Sequence, residues 1–278
     1  VSNYGDVAQS GFGGVIVENR MLGEMYLRQL YHGDGSYSGG KPDINAGPKD
    51  GMIRTESDMA WVKAMIADGY KFNGVTKVAK DQLWYGDLIY ADANGDGNYG
   101  DTNDMNFTGT STQPRYNFGF NLSAAYKGFD FYMLWAGSAG FDLYWNHSSY
   151  NGTRTENGFG ISQRVADDHY FYDPENPSDS RTNITAKYPR ITDQTQRDNA
   201  ASSVFWKYKG DYVKLKNIQI GYTIPVKWTR KFMVEKLRFY FSGENLLTIT
   251  DYPGLDPEMG TSITYPLTKQ FAFGACDF

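Results

Sequence analysis

The stretch that decides the fold is Tyr116-Asn-Phe-Gly-Phe-Asn-Leu-Ser-Ala-Ala-Tyr126, followed by Lys127-Gly128 and then Phe129-Asp-Phe-Tyr-Met-Leu-Trp135. From 116 to 126 the even positions carry Tyr116, Phe118, Phe120, Leu122, Ala124 and Tyr126, and the odd ones carry Asn117, Gly119, Asn121, Ser123 and Ala125. A period of two puts the two sets on opposite faces of a strand. Lys127-Gly128 supplies a tight turn. Beyond it the apolar set moves to odd positions, through Phe129, Phe131, Met133, Trp135, Phe141, Leu143 and Trp145. Read as one strand, Phe129 to Trp145 is seventeen residues. At ~3.3 Å each it outruns a ~30 Å hydrocarbon core even when tilted. Soluble sandwich strands are rarely so long, so the pattern points to a barrel whose apolar face meets lipid.

The last third repeats the alternation. Leu237, Phe239, Phe241, Leu247 and Ile249 share one parity, while Arg238, Tyr240, Ser242, Glu244 and Thr248 share the other. Tyr212 to Ile224 reads as a strand ended by Pro225, but its apolar parity switches from Val213 and Leu215 to Ile218, Ile220, Tyr222 and Ile224. Such a switch needs one extra residue, which predicts a β-bulge near Lys216-Asn217. In the terminal strand, Lys269 to Phe278, Phe271 and Phe273 lie on the opposite parity from Cys276 and Phe278. Either a second bulge lies near Gly274 or the aromatic pair faces the lumen; the bulge is expected, because glycine commonly marks one.

Composition narrows the solvent question. The chain has 278 residues, 16% of them aromatic, with 22 Tyr, 17 Phe and 31 Gly, yet its mean hydropathy is a polar -0.56. No apolar run approaches the ~20 residues of a membrane helix. Barrel strands survive such averages because their two faces cancel. A net charge of -5 argues against a nucleic-acid partner and suggests no basic patch for anionic lipid. The single Cys276 excludes an internal disulfide and a cysteine-built metal site. Val1 in place of Met, with no leader, suggests a processed chain or a piece of a longer one.

Residues 1–114 read as loop elaboration. A poorly alternating strand is expected near Met21 to Tyr31. A helix is expected over 55–69, with Thr55 and Asp58 as a capping box and Met59, Val62, Met65 and Ile66 on one face. It reads as a surface helix in an insertion. The Asp-rich loop 92–104 resembles a calcium loop at its start, with alternate oxygen ligands Asp92, Asn94 and Asp96 before Gly97. Asn98 and Asp104 complete the candidate set, although the twelfth loop position is Asn103 and no helices flank it. An Asx-rich turn held by side-chain to backbone bonds explains the same residues, and both readings stand at this point.

Asn146 to Ser202 is long, polar and aperiodic, as functional loops often are. His147 and His169 lie there, the latter beside Asp167 and Asp168, but adjacent residues do not converge on one point and suggest no catalysis. Sequons at Asn151 and Asn183 are adequately explained by chance in an Asn- and Thr-rich chain.

A series of phrases resembles the SusC/RagA-like TonB-dependent transporters of the Bacteroidota outer membrane. They are Gly86-Asp-Leu-Ile-Tyr90 with Asp92-Ala-Asn-Gly-Asp-Gly97, Tyr116-Asn-Phe-Gly-Phe120 with Tyr126-Lys-Gly-Phe-Asp130, and Asp211-Tyr-Val-Lys-Leu-Lys-Asn-Ile-Gln-Ile-Gly-Tyr222. Ser242-Gly-Glu-Asn-Leu246, Thr250-Asp-Tyr-Pro-Gly-Leu-Asp-Pro-Glu258 and the Phe-Gly…Phe278 ending follow in order. The resemblance implies an all-β fold, an antiparallel transmembrane β-barrel segment from a barrel of about 22 strands, with long extracellular loops and one short helix. It implies import of glycan or peptide fragments beneath a SusD-like lipoprotein lid, driven by TonB through a part of the protein absent from this chain. Residues 115–278 would be C-terminal barrel strands surrounded by outer-membrane lipid. No enzymatic activity is implied and no cofactor is required beyond the candidate calcium.

The resemblance places Phe278 on the periplasmic side. Counting back puts 147–202, 250–268 and the Asp92 loop outside the cell, Lys127-Gly128 on the periplasmic side, and Ser203 to Tyr208 in an extracellular extension. The alternative is a secreted calcium-dependent carbohydrate-binding or adhesin β-sandwich, with exposed Trp or Tyr stacking on sugar. An outer-membrane hydrolase is disfavoured, since no Ser, His and acid grouping stands out.

Overall fold

The computed structural model describes residues 20–145, 161–191, 199, 201–260 and 267–277. His147, the Asn151 sequon and Phe278 lie outside them. The chain divides into two units, Val1–Thr110 with Tyr144–Lys207, and Ser111–Leu143 with Tyr208–Phe278. The sequence suggests a single boundary near 114; the structure instead groups 144–207 with the N-terminal part.

The first unit contains β1 (Glu24–Arg28), helix α1 (Glu56–Ala67), β2 (Lys71–Phe72), β3 (Asn98–Tyr99), β4 (Met105–Ser111) and the short helix α2 (Gln163–Asp167). β1 pairs with β4, and β2 runs parallel to β3. Thr55 caps α1 by accepting the Asp58 N–H at 3.1 Å, and the Asp58 carboxylate returns the bond to Thr55 N–H at 2.8 Å. The surface-helix expectation is corrected here. Met59, Trp61, Val62 and Met65 are all buried, and they form the centre of a core with Phe72, Leu83, Leu88, Ile89, Tyr90 and Tyr99. Trp61 explains the error, because its bulky ring widens the apolar stripe that Met59, Val62 and Met65 begin. It stacks on Tyr31 with centroids 4.9 Å apart, and its N–H donates to the Asp43 carbonyl at 2.8 Å.

β5 (Tyr116–Tyr126) and β6 (Phe129–Ala139) open the second unit. β7 (Asp142–Tyr144) and β8 (Lys207–Lys209) then pair with each other, carrying the chain out to the first unit and back. β9 (Tyr212–Thr223), the short helix α3 (Val226–Thr229), β10 (Leu237–Thr250) and β11 (Gln270–Asp277) complete it. One sheet in the order β11-β10-β9-β6-β5 results, every neighbouring pair antiparallel. Lys127 and Gly128 both have positive φ, 48° and 88°, as a two-residue type I′ hairpin requires.

The seventeen-residue strand is a further correction. Pairing stops at Ala139, Gly140 takes φ 78°, and the apolar residues Phe141 and Leu143 continue into β7 rather than into the sheet. The sheet strands have 11, 11, 12, 14 and 8 residues. Strands of about 9–11 residues suffice to cross a hydrocarbon core at a tilt, so four of the five described strands have the length of a barrel wall without the excess. Lys207–Lys209 stays out of the five-stranded sheet, as the strand count from the sequence requires.

The bulge on β9 falls where parity places it. Leu134 pairs with Asn217 and Trp135 with Leu215, which leaves Lys216 as the extra residue. β10 sets two unpaired residues, Asn245 and Leu246, against this one, because Glu244 pairs with Asn217 and Leu247 with Leu215. Asn245 inside that insertion has φ 53°. The bulge expected near Gly274 is absent: β11 pairs with β10 without a break from Leu237↔Asp277 to Glu244↔Gln270. Gly274 instead lies opposite Tyr240, and a Cβ there would stand 2.4 Å from the ring. The glycine marks close packing of a cross-strand aromatic, not an inserted residue.

Candidate functional site

The register sorts the sheet into two faces. On one, Phe120 lies opposite Trp135, Trp135 opposite Leu215, Leu215 opposite Leu247, and Phe241 opposite Phe273. Phe271 and Phe273 join this apolar face, leaving Cys276 on the other. Its side chains stand open to the surroundings, with Phe273 82% exposed, Phe129 59% and Phe239 49%. A sandwich would bury such a face under a second sheet; among the described residues none covers it.

The opposite face is polar and cross-linked. At the hairpin end, the Arg238 guanidinium donates to both Asp130 oxygens at 2.9 and 2.5 Å. The pair reaches across β9 above Gly221, where an added Cβ would come within 2.6 Å of both side chains. At the other end, Lys214 Nζ lies 2.6 Å from each Asp256 oxygen and 2.9 Å from Glu258, and Lys216 Nζ meets the same Glu258 at 2.5 Å. The bulge creates this cluster, because an inserted residue turns its side chain to the same face as its neighbour. Asp256 is placed by a one-turn helix, Pro257–Met259, that it caps through the Glu258 N–H at 2.9 Å. Burial opposes ionisation of Glu258, but the ion pairs with Lys216 and Lys214 outweigh it and hold the carboxyl below its usual range.

In the first unit the loop 92–104 brings all five candidate calcium residues into one turn. Asp92 accepts from the N–H groups of Gly95 (2.7 Å), Asp96 (3.2 Å) and Gly97 (2.8 Å). Asn94 accepts from Asp96 N–H, Asp96 from Asn98 N–H, and Asn98 from Gly74 N–H, at 2.8–2.9 Å. Asp104, 1% exposed, accepts four N–H bonds, from Ala93, Asn94, Gly100 and Asp101. Burial pushes its carboxyl up, against those four bonds. The donor set has the hard oxygens calcium takes, but each carboxylate oxygen is already committed to an N–H. Among the described residues no three Asp, Glu, His or Cys side chains are grouped to hold a metal ion.

Asp87 is a site that sequence reasoning missed. It is fully buried and receives Arg190 bidentately at 2.7 and 2.9 Å, Asn199 at 2.9 Å and the Trp84 N–H at 2.8 Å. Burial pushes its carboxyl up while Arg190 pulls it down. Its side-chain partners Arg190 and Asn199 lie more than a hundred residues away, so no local pattern announces it; the Gly86-Asp-Leu-Ile-Tyr90 phrase was its only signal. His169 Nδ1 sits 2.7 Å from the Ala166 carbonyl, and no site forms with Asp167 and Asp168.

A single antiparallel sheet, apolar on one face and polar on the other, with strands of membrane-crossing length, is a segment of transmembrane β-barrel wall. No helix among the described residues is long and apolar enough to cross a membrane. No protein-family model matches the chain. It is 34% identical over 68% of its length to TonB-dependent receptor P3 of Formosa agariphila, and 27% identical over 94% of its length to TonB-dependent receptor P39 of the same organism. It spans 18% and 25% of those two relatives. The chain belongs to the TonB-dependent receptors. Its fold resembles the RagAB peptide importer in its 'closed-closed' state (TM-score 0.52, 21% identity, 68% of this chain and 21% of that one). A further structure, of the RagAB peptide transporter, gives a TM-score of 0.52 at 20% identity, over 71% of this chain and 21% of that one. These relatives are named as receptors and transporters, not enzymes.

Proposed function

We propose that the chain forms C-terminal barrel wall and outer loops of a TonB-dependent transporter in the outer membrane of a Gram-negative bacterium of the Bacteroidota. The transporter imports glycan or peptide fragments and works with a SusD-like surface lipoprotein. The two-faced sheet carries the reading: its exposed aromatic side suits lipid, and its ion-paired side suits a polar lumen. Function is conformational in this scheme. Outer loops and lid enclose the cargo while TonB acts on a part of the protein outside this chain, so no residue here need be catalytic. The Asp92 loop acts as a rigid outer turn.

Fractionation of cells expressing the full receptor tests the membrane assignment. Recovery with outer-membrane lipid in a density gradient supports it; release as a soluble protein without detergent would favour the calcium-dependent carbohydrate-binding sandwich. Deleting the receptor gene and measuring growth on oligosaccharide or peptide as sole nutrient then separates the two cargo classes. Co-purification of a surface lipoprotein with the tagged receptor tests the lid.

A further inference from the structure

We propose that the hairpin end of the sheet holds an anionic phospholipid, with its phosphate on a cluster of cations and one acyl chain in an adjacent apolar groove. The inference rests on the reading that the sheet crosses the outer membrane.

Two connectors meet at this end. The Gly128 carbonyl accepts the Thr223 N–H at 2.7 Å, which sets the β5–β6 turn against the end of β9. Ile224 N–H donates to the Leu237 carbonyl at 2.9 Å, closing the β9–β10 connection over residues 225–236. Lys127, Lys227, Arg230 and Lys231 are all exposed here, and Glu235 is the connector's one carboxylate. Beside the cations stand exposed apolar groups that solvent would not favour, Trp228 at 60% and Met233 at 95%. Cations interleaved with Trp and Met are the composition of a membrane–water boundary, where rings sit at headgroup level and lysine stems lie along apolar surface. The opposite end differs, because its loops contribute Asp211 and Asp251, with Asp256 and Glu258 ion-paired to Lys214 and Lys216. The overall charge of -5 therefore conceals a basic rim.

The groove opens on the apolar face at the same end. It has a volume of about 490 Å³ and is walled by Phe129, Ile220, Tyr222, Phe239, Phe241 and Phe273. Phe129 packs on Tyr222 with centroids 4.5 Å apart, and Phe241 on Phe273 at 4.9 Å, which makes two ring walls with a depression between them. Phe129 and Tyr222 are the residues nearest in sequence to the Lys127 turn and the 225–236 connector, so an acyl chain in the groove leaves its headgroup beside the cations. Charge complementarity selects an anionic phospholipid over a neutral one, because each basic side chain near a headgroup adds to the attraction.

The test uses the full receptor in detergent, incubated with dioleoyl phosphatidylglycerol or dioleoyl phosphatidylcholine and read by native mass spectrometry. Wild type is expected to retain phosphatidylglycerol over phosphatidylcholine. Lys227→Gln/Arg230→Gln/Lys231→Gln should retain it at least about tenfold less, and Lys227→Arg/Arg230→Lys/Lys231→Arg should restore it. Heat-modifiable gel migration reports whether each variant forms the barrel. Equal retention by wild type and the folded neutralised variant, equal retention of the two lipids, or displacement by glycerol 3-phosphate alone would each overturn the inference while leaving the barrel intact. A wild-type receptor that shows no heat-modifiable barrel would sink the membrane reading and the lipid site together.

Discussion

Lys214 is 1% exposed and bound to both oxygens of Asp256, forty-two residues away, at 2.6 Å. The contact fastens the β10–β11 connection to the wall strand β9, with Glu258 and Lys216 as a second pair beside it. Lys214→Met keeps the aliphatic stem but leaves two carboxylates facing one remaining cation. Removing one partner of a buried pair typically costs about 3 kcal/mol. Faster proteolytic cleavage within Asp251–Gly260 of the full receptor is the expected result, with Lys216→Met giving a smaller effect because that side chain is 25% exposed.

The same cluster predicts a pH response. Glu258 has its carboxyl held below the ordinary glutamate value of 4.5 by Lys216 and Lys214, so its contribution is complete above that value and disappears as pH falls through the folded one. Protection of Asp251–Gly260 should stay level from neutral pH to about 5 and fall in more acid solution. Glu258→Gln should abolish that part of the pH dependence; an unchanged profile would assign the response to other groups.

Gly221 leaves room for the ion pair that crosses it. Gly221→Ala would set a Cβ within 2.6 Å of Asp130 and Arg238 and force the pair apart. The expected cost is about 1–2 kcal/mol in denaturant stability of the receptor. In an Asp130→Ala/Arg238→Ala background the penalty should shrink toward zero, and a cycle showing simple additivity would contradict the mechanism.

Calorimetry settles the Asp92 loop. With every carboxylate oxygen already accepting an N–H, calcium should produce identical heats on wild type and Asp96→Ala. Saturable heat confined to wild type would establish metal binding by Asp92, Asn94 and Asp96, with Asn98 and Asp104 behind them.

The direction of the terminal strand is open to labelling. In a Cys276→Ser background, Phe273→Cys should resist a membrane-impermeant maleimide in intact outer membrane, whereas Ala272→Cys should react from the lumen side once the membrane is permeabilised. Reversed reactivity would place the Phe271 and Phe273 pair in the lumen.

The sheet was legible where a single physical rule governed the residues. Strict alternation in Tyr116–Tyr126 and the parity switch around Lys216 both follow from the two-residue period, so strand, faces and bulge were read correctly. Gly274 was misread because glycine answers to two causes, insertion and close approach, and only the ring of Tyr240 distinguishes them. Phe141 and Leu143 kept the alternation going while the strand had already ended at Gly140, since parity records which side a residue takes and not which partner it pairs with. Asp87 and Arg190 were invisible because their meeting depends on a chain path of about a hundred residues. The five oxygen-bearing residues of the Asp92 loop were found, but whether they point at a cation or at N–H groups is a matter of angles that spacing does not encode.

Asp142–Tyr144 and Lys207–Lys209 pair side by side. The chain leaves the wall and returns to it at neighbouring positions, so everything between is an excursion whose ends are fixed locally. Lengthening such an excursion costs little, because closure entropy grows only with the logarithm of its length. The registers of the wall strands are therefore independent of that excursion's length, while Arg190 and Asn199 within it tie it to the buried Asp87 of the first unit.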